Sequence, residues 1–331
     1  MMRITILFGG TNKERLVSVA SAQALHLALP DADLWFWDVG DSVHEVQPKA
    51  LLGHSRPFEQ PFKPTAPGVG GIEQALDKAK AENRLLVLGL HGGLAENGEL
   101  QAMCEMRGIA FTGSGSASSH LAFDKVAAKH FASLAGVKGP VGVALHDAEA
   151  ALAEYGRLVA KPARDGSSYG LIFVNAKQDL VAVRNAARTE EYLIEPFIPG
   201  AEATCGVLEQ LDGSLIALPP VEIIAAEGGG FDYTAKYLAK STQEICPARF
   251  AAEINAVIMD QAIKAHQALS CSGYSRSDFI VSDKGPIYLE TNTLPGLTKA
   301  SLYPKALTAQ GIGFADFLQD QIALAVNRAR K

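Results

Sequence analysis

The sequence predicts an α/β domain followed by an α+β region, and three observations carry this prediction. In the first third, short β-branched runs alternate with amphipathic helical segments, a pattern that favours a parallel sheet. In the remaining two thirds several strands follow one another, with glycine-bearing loops between them. The chain has 331 residues, which is long enough for two or three domains with separate cores.

Residues 1–112 are predicted to form one α/β domain, because strand and helix signals alternate there. Strands are predicted at Arg3–Phe8, Leu34–Val39, Leu85–Leu90 and Ile109–Thr112. Helices are predicted from the first glycine turn to about Leu29, at Ile72–Glu82 and at Glu99–Arg107. The proline-bearing stretch Pro48–Val69 is predicted to be a loop.

The rest of the chain is divided at residue 200 into a central part, 113–200, and a C-terminal part, 201–331. The central part is predicted to contain one long helix, Ser116–Gly136, a helix at Lys177–Ala187, and strands at Leu158–Lys161, Leu171–Val174 and Tyr192–Phe197. The C-terminal part is predicted to contain strands at Glu202–Leu211, Ser214–Pro219 and Val221–Ala225, a helix at Ala251–Leu269, a hairpin at Ser277–Thr291 and a helix from Gly313.

Composition and charge exclude several classes of protein. With 48% hydrophobic and 20% charged residues, the chain is neither disordered nor a disulfide scaffold. A net charge of −6 argues against bulk affinity for nucleic acid or acidic lipid. The four cysteines lack CxxC spacing, and no apolar run approaches the ~18 residues of a membrane span. These features predict a cytoplasmic protein with reduced thiols and no membrane or nucleic-acid partner.

The last hairpin carries the most informative pattern. A three-residue loop, Asp283–Gly285, ends in glycine and would place Asp278 opposite Glu290 and Ile280 opposite Tyr288. Facing carboxylates on one strand pair are unfavourable unless a cation joins them. The hairpin face is therefore either a solvent-exposed surface or a metal site.

Two further residues favour the metal site. The strand period of two adds Arg276 and Asn292 to the face that carries Asp278 and Glu290. Carboxylate and carboxamide oxygens suit Mg²⁺, which commonly also bridges phosphates. The Arg–x–Asp and Glu–x–Asn patterns together predict an oxygen-ligand metal site beside a cationic group.

Three lysines lie in contexts that suit phosphate, although a lone lysine is most often a solvated surface charge. Lys161 ends a strand just before the small-residue loop Pro162–Gly170, Lys236 follows a glycine-rich segment, and Lys125 lies on the long helix. The loop lacks GxxxxGK[ST], so a P-loop NTPase is not indicated. The first βα turn lacks GxGxxG, which argues against a dehydrogenase.

Taken together, these segments resemble the D-alanine–D-alanine ligases of the ATP-grasp superfamily, nearly from end to end and in motif order. The matching pieces are Gly9–Thr11 with Glu14–Arg15 and Val17–Ser18, His91–Gly92 with Glu96–Gln101, Thr112–Gly115, Asp124–Lys125, Lys161–Pro162 with Gly166–Ser168, Ile194–Glu195, Glu202, Asp232–Tyr233 with Lys236–Tyr237, Cys246–Pro247, Gly273 with Arg276 and Asp278, and Glu290 with Asn292–Thr293 and Pro295–Gly296.

The resemblance implies a fold and a reaction. The implied fold is an ATP-grasp fold, with ATP between two β-sheets, behind an N-terminal Rossmann-like domain with a parallel sheet. The implied reaction is ATP-dependent ligation of two D-alanines through an acyl phosphate, giving the D-alanyl-D-alanine of peptidoglycan precursors. Two alternatives stay open: an ATP-grasp ligase that joins a different amino acid or amine, and a nucleotide-binding protein without catalysis.

The resemblance also implies site residues, cofactors and an assembly. It implies Mg²⁺ or Mn²⁺, as two ions, on Asp278, Glu290 and Asn292. The implied nucleotide contacts are Lys125, Lys161, Ser168, Glu195, Phe197, Ile198, Glu202, Phe231 and Lys236. The implied catalytic residues are Glu14, Ser167, Tyr237, Arg276 and Gly296, and the implied contacts to the amino acids are Glu14, His91, Ser301 and Leu302. The implied assembly is a homodimer.

Overall fold

The protein is described from a computed structural model that covers residues 2–166, 169–224 and 242–329. The first strands are β1 (Arg3–Gly9), β2 (Asp33–Trp37), β3 (Ser42–Val46), β4 (Gly68–Gly71), β5 (Arg84–Leu88) and β6 (Ala110–Phe111). They form one sheet in the order β4-β3-β2-β1-β5-β6. Neighbouring strands pair in parallel from β2 through β1 and β5 to β6. At the other edge, β3 and β4 are added as antiparallel strands.

Helices cover both faces of this sheet. They are α1 (Arg15–Ala28), α2 (Pro48–Leu52), α3 (Ile72–Ala81) and α4 (Glu99–Arg107). Side chains of α1 pack with Phe8 and Phe36 on one face, and side chains of α3 and α4 pack with Trp35 and Leu88 on the other. Because both faces are buried, the β1 and β5 sequences are apolar almost throughout, as expected for a parallel sheet.

The central part contains a small antiparallel sheet and four helices. The strands are β7 (Leu158–Pro162), β8 (Ile172–Val174) and β9 (Tyr192–Pro196), in the order β8-β7-β9. The helices are α5 (Ser116–Phe123), α6 (Lys125–Leu134), α7 (Ala148–Tyr155) and α8 (Leu180–Ala186). The sheet packs on α7 and α8 through a core of its own that includes Leu158, Val174 and Ile194.

The C-terminal part forms a third sheet. Its strands are β10 (Ala201–Glu209), β11 (Leu215–Ala217), β12 (Val221–Ile224), β13 (Gln243–Ile245), β14 (Tyr274–Ser282) and β15 (Gly285–Asn292). The order is β13-β12-β10-β14-β15, with β11 paired to β10. The helices are α9 (Ala252–Ala268), α10 (Leu302–Ala309) and α11 (Phe314–Ala329). Within the described ranges, no helix is long and apolar enough to cross a membrane.

One helix prediction and one loop prediction are wrong in part. The predicted single helix Ser116–Gly136 is two helices, because Asp124 takes an extended ψ of 101° and caps α6. Its carboxylate accepts hydrogen bonds from the Val126 and Ala127 N–H groups at 3.0 Å. The predicted loop Pro48–Val69 contains α2, which begins with a proline at its first turn, where no N–H is needed.

The hairpin prediction is confirmed at the carboxylates and wrong near the turn. The loop has two residues instead of three, so that Ser282 pairs with Gly285 and Phe279, instead of Ile280, pairs with Tyr288. A β-bulge between Asp278 and Phe279 then adds one residue to β15 and restores Asp278 opposite Glu290. The shorter loop shifts the pairing by one residue, and the bulge shifts it back by one residue at Asp278.

We expect Asp124→Ala to lower the free energy of unfolding by about 1 kcal/mol, because two N–H groups at the start of α6 lose their acceptor. Urea denaturation measures the change. Asp124→Asn keeps a capping side chain and should lose much less. Asp147→Ala is the matched control, since Asp147 precedes α7 without a side-chain capping bond. Equal effects of Asp124→Ala and Asp147→Ala would contradict the capping role.

Candidate active site

A cavity lies between the central sheet and the C-terminal sheet. Apolar side chains from both sheets line it, among them Val159, Phe173, Ile223 and Phe279. Of the predicted nucleotide contacts, those that line it are Lys125, Lys161, Glu195, Phe197, Ile198 and Glu202. An apolar slot with a few charged groups at its margin suits a flat base attached to an anionic chain.

Glu195 is fully enclosed at the inner wall of this cavity, with 1% of its surface exposed. Its Oε2 lies 2.9 Å from Lys161 Nζ, and its Oε1 accepts a hydrogen bond from Lys129 Nζ. Burial, together with the charge of Lys161, lowers the pKa of Lys129 to about 7. The Glu195 side chain is thus held by two lysines, one from β7 and one from α6.

The hairpin carboxylates Asp278 and Glu290 line the same cavity. Asp278 forms a bidentate ion pair with Arg276, both N···O distances being 2.8 Å, and accepts a hydrogen bond from Asn292 Nδ2 at 3.1 Å. Glu290 Oε2 lies 3.3 Å from Lys125 Nζ. The structure therefore brings together the predicted metal set with two of the predicted cationic groups.

The donor set fits a hard divalent cation. Asp278 and Glu290 are paired across the strands, and the Asn292 amide nitrogen points to Asp278, so the ligating atom it offers is its oxygen. No cluster of three or more His, Cys, Asp or Glu side chains suited to a metal occurs in the described part of the chain. Two carboxylates plus an amide are nevertheless typical of Mg²⁺, which keeps waters and phosphate oxygens as its other ligands.

A second cavity adjoins the first and shares Gly166, Arg276, Glu290 and Leu302 with it. The predicted amino-acid and catalytic residues that line it are Glu14, His91, Arg276, Gly296, Ser301 and Leu302. Ser301 immediately precedes α10 without a side-chain capping bond to it, and its hydroxyl accepts a hydrogen bond from the Thr298 N–H at 3.2 Å. The shared wall places Arg276 between the two cavities.

His91 is buried on the wall of the second cavity, and the protein engages both of its ring nitrogens. Nδ1 donates to the Leu294 carbonyl at 3.2 Å, and Nε2 lies 2.8 Å from the Ser21 hydroxyl. Burial lowers the pKa of His91 to about 4, so the ring is neutral near pH 7. His91 thus connects α1 to the loop after β15.

Four glutamates line the second cavity: Glu14, Glu96, Glu244 and Glu290. Glu14 precedes α1, and its carboxylate lies against Gly92, where a Cβ would collide with it and where φ is +65°. Burial and the charge of Glu14 raise the pKa of Glu96 to about 8, against a hydrogen bond from the Gly92 N–H. Glu96 is therefore mostly protonated near pH 7, and it is the other glutamates of the cavity that suit a ligand with an ammonium group.

Five of the predicted site residues lie outside the described residues: Ser167, Ser168, Phe231, Lys236 and Tyr237. Three residues that the sequence analysis did not assign to the site join it in the structure: Lys129, Thr204 and Glu96. For Lys129 and Thr204, the spacing from a predicted site residue indicated a position on the same face. Lys129 lies one helical turn after Lys125, and Thr204 lies two strand positions after Glu202, hence on the same face.

Thr204 supports the metal set directly. Its hydroxyl donates to Asp278 Oδ1 at 2.6 Å, and β10 places it opposite Asp278 in register. The side chain is buried, so this bond holds the carboxylate from the side of the sheet.

A cavity lies between two sheets, and both lysines and a set of oxygen ligands line it. This arrangement is that of an ATP-grasp ligase, a class of ATP-dependent enzymes. A family model described as the D-ala D-ala ligase N-terminus matches residues 3–114, and one described as its C-terminus matches residues 146–323. The chain belongs to the D-alanine–D-alanine ligase family and has the ATP-grasp fold.

Similar proteins agree along the whole chain. The chain is 35% identical to the D-alanine–D-alanine ligase of Halalkalibacterium halodurans, over 99% of this chain and 100% of that protein. The VanG D-Ala:D-Ser ligase from Enterococcus faecalis matches with a TM-score of 0.80 at 31% identity, covering 98% of this chain and 99% of that one. A D-alanine–D-alanine ligase from Bacillus anthracis complexed with ATP matches with a TM-score of 0.74 at 27% identity, covering 99% and 98%.

We expect the free energy of unfolding to fall as the pH falls from 6.5 towards 4, by about 1–3 kcal/mol through His91. The unfolded histidine binds a proton in this range, whereas His91, with its pKa lowered to about 4, does not. Urea denaturation at pH 7, 6 and 5 measures the slope, and His91→Gln should flatten it.

The exposed His146 provides the control. His146→Gln should leave the slope unchanged, and an unchanged slope in His91→Gln would contradict the burial of a neutral ring.

Proposed function

We propose that this protein joins two D-alanines into D-alanyl-D-alanine, with ATP converted to ADP and phosphate through an acyl phosphate. The observation that carries the proposal is the pair of adjoining cavities, one apolar with lysines and one acidic, with Arg276 and Glu290 on both walls. Family membership and similarity over the full chain support the D-alanine substrate.

The chemistry requires charge stabilisation where the cavities meet. A free carboxylate is a poor acyl donor, and phosphoryl transfer gives it a leaving group. In this proposal Lys125 and Lys161 bind phosphates, and Arg276 stabilises negative charge on the reacting carboxylate, with the Gly296 N–H as its partner. Asp278, Glu290 and Asn292 would hold Mg²⁺ or Mn²⁺, which neutralises phosphate charge when bound.

The acidic cavity would orient the two amino acids. Glu14 would bind the ammonium of the first D-alanine, since a carboxylate is the natural partner of an ammonium. Ser301 and the N-terminus of α10 at Leu302 would bind the carboxylate of the second one, because the first N–H groups of a helix attract anions. His91 would lie near the first D-alanine, and Ser167 and Tyr237 would position the second one.

The nucleotide base would lie between the two sheets. Phe197 and Ile198 would flank it, Glu202 would accept hydrogen bonds from the ribose, and Ser168, Phe231 and Lys236 would complete the site. Because both Glu195 oxygens are held by lysines, we propose that Glu195 meets the base through its backbone. Three domains, 1–112, 113–200 and 201–331, a homodimer and a cytoplasmic location belong to the same proposal.

Phosphate release from purified protein with Mg-ATP, followed by mass analysis of the product, tests this function. We expect release with D-alanine, a dipeptide of the mass of D-Ala-D-Ala, and none with L-alanine. A panel with D-serine as the added second amino acid tests the alternative, since a D-Ala:D-Ser ligase is among the similar structures. Release that requires a different amino acid would keep the ligase and overturn the D-alanine assignment.

We expect Glu290→Gln to lower kcat by about 100-fold or more, because an amide is a weaker ligand for a divalent cation than a carboxylate. Steady-state kinetics with Mg-ATP and D-alanine measure the loss. Glu253→Gln, at an exposed position on α9, removes the same charge and should be neutral. Full activity of Glu290→Gln would rule out the metal assignment.

A further inference from the structure

Lys129 is a second lysine at Glu195, and it follows Lys125 by one turn of α6. Residues four apart lie on the same face of a helix, so α6 presents both lysines to the cavity side. Lys125 reaches Glu290 at 3.3 Å, and Lys129 reaches Glu195. One helix therefore delivers cationic groups to two carboxylates from two different sheets.

The charges at Glu195 do not cancel. Glu195 and Lys161 alone would be a neutral pair, because one carboxylate and one ammonium group cancel. Each of the two carboxylate oxygens, however, can accept from one ammonium group. Lys129 occupies Oε1 and Lys161 occupies Oε2, which gives the three side chains a net charge of +1 when both lysines are protonated. The group is almost completely buried, where charges interact more strongly than in water.

We propose that Lys129 is a positioning residue for the nucleotide: it compensates the charge of Glu195, so that Lys161 keeps a net positive charge to attract phosphate. This inference rests on the proposed function, since it needs a nucleotide in the cavity that Lys161 lines. Lys129 itself approaches Glu195 from α6 and acts through Lys161.

A purely structural role for Lys129 makes a different prediction. If Lys129 only fills space or supports the fold, removing both Lys129 and Glu195 should cause at least as much loss as removing Lys129. If Lys129 acts by its charge, neutralising Glu195 as well returns the net charge to +1, now on Lys161 alone. A double-mutant cycle separates these cases.

The experiment is calorimetric titration of the full chain with Mg-ADP at pH 6, where Lys129, with its pKa of about 7, is mostly protonated. We expect Lys129→Met to weaken Mg-ADP binding about tenfold and Lys129→Met with Glu195→Gln to recover to within about twofold of the unchanged protein. Lys129→Arg should retain binding. The KM for D-alanine should not change.

Lys264→Met is the matched control, because Lys264 forms an exposed pair with Asp260 on α9 and its removal changes the total charge equally. Lys129→Gln replaces Lys129→Met should the latter fail to fold. Unchanged binding in the Lys129 variant, or a double variant no better than the single one, would overturn the inference. Absence of Mg-ADP binding by the unchanged protein would instead overturn the proposed function.

Discussion

The pairing of β14 with β15 is the constraint on which the site depends. Without the bulge, Tyr288 and Glu290 would point to the same face, because strand side chains alternate. The additional residue, Leu289, lets Tyr288 pack in the core against Phe279, with ring centroids 5.9 Å apart, while Leu289 and Glu290 line the cavity. One irregularity in a strand therefore serves both the core and the candidate metal set.

Charge balance is the second condition. A buried carboxylate is costly unless a cation or hydrogen bonds compensate it. Three carboxylates that line the cavity each have a cationic neighbour: Arg276 on the same strand for Asp278, Lys125 of α6 for Glu290, and Lys161 of β7 with Lys129 of α6 for the buried Glu195. The two lysines of α6 therefore take part in this charge balance together with residues of the strands.

Local signals in the sequence were enough for most elements. The apolar runs of β1 and β5 and the helix α4 are confirmed, because their period and their glycine borders are local. The break at Asp124 was missed, because alanines on both sides of it and the lysines that follow favour a continuous helix. The short strands β3 and β13 have no strong pattern of their own and form by pairing with neighbours.

The site shows the same division between local and distant information. A short loop made the hairpin itself predictable, but Asp278 lies opposite Glu290 only because the β-bulge, which was not predicted, offsets the shorter loop. Thr204 and Lys129 were not predictable in this way, since their partners lie 74 and 66 residues further along the chain. Periodicity places Lys129 on the face of Lys125 and Thr204 on the face of Glu202, but it does not identify their partners, because those contacts arise only when the separate sheets and α6 are assembled.

The contacts of Asp278 also constrain how a cation can enter. Oδ1 accepts from Arg276 and Thr204, and Oδ2 accepts from Arg276 and Asn292, which together use about four acceptor positions, the capacity of a carboxylate. A cation that ligates Asp278 must therefore displace at least one of these bonds. Thr204 is buried within the sheet, whereas Arg276 lines both cavities. Of the donors to Asp278, Arg276 is therefore the one that lines both cavities, and the proposed cation site must share Asp278 with it.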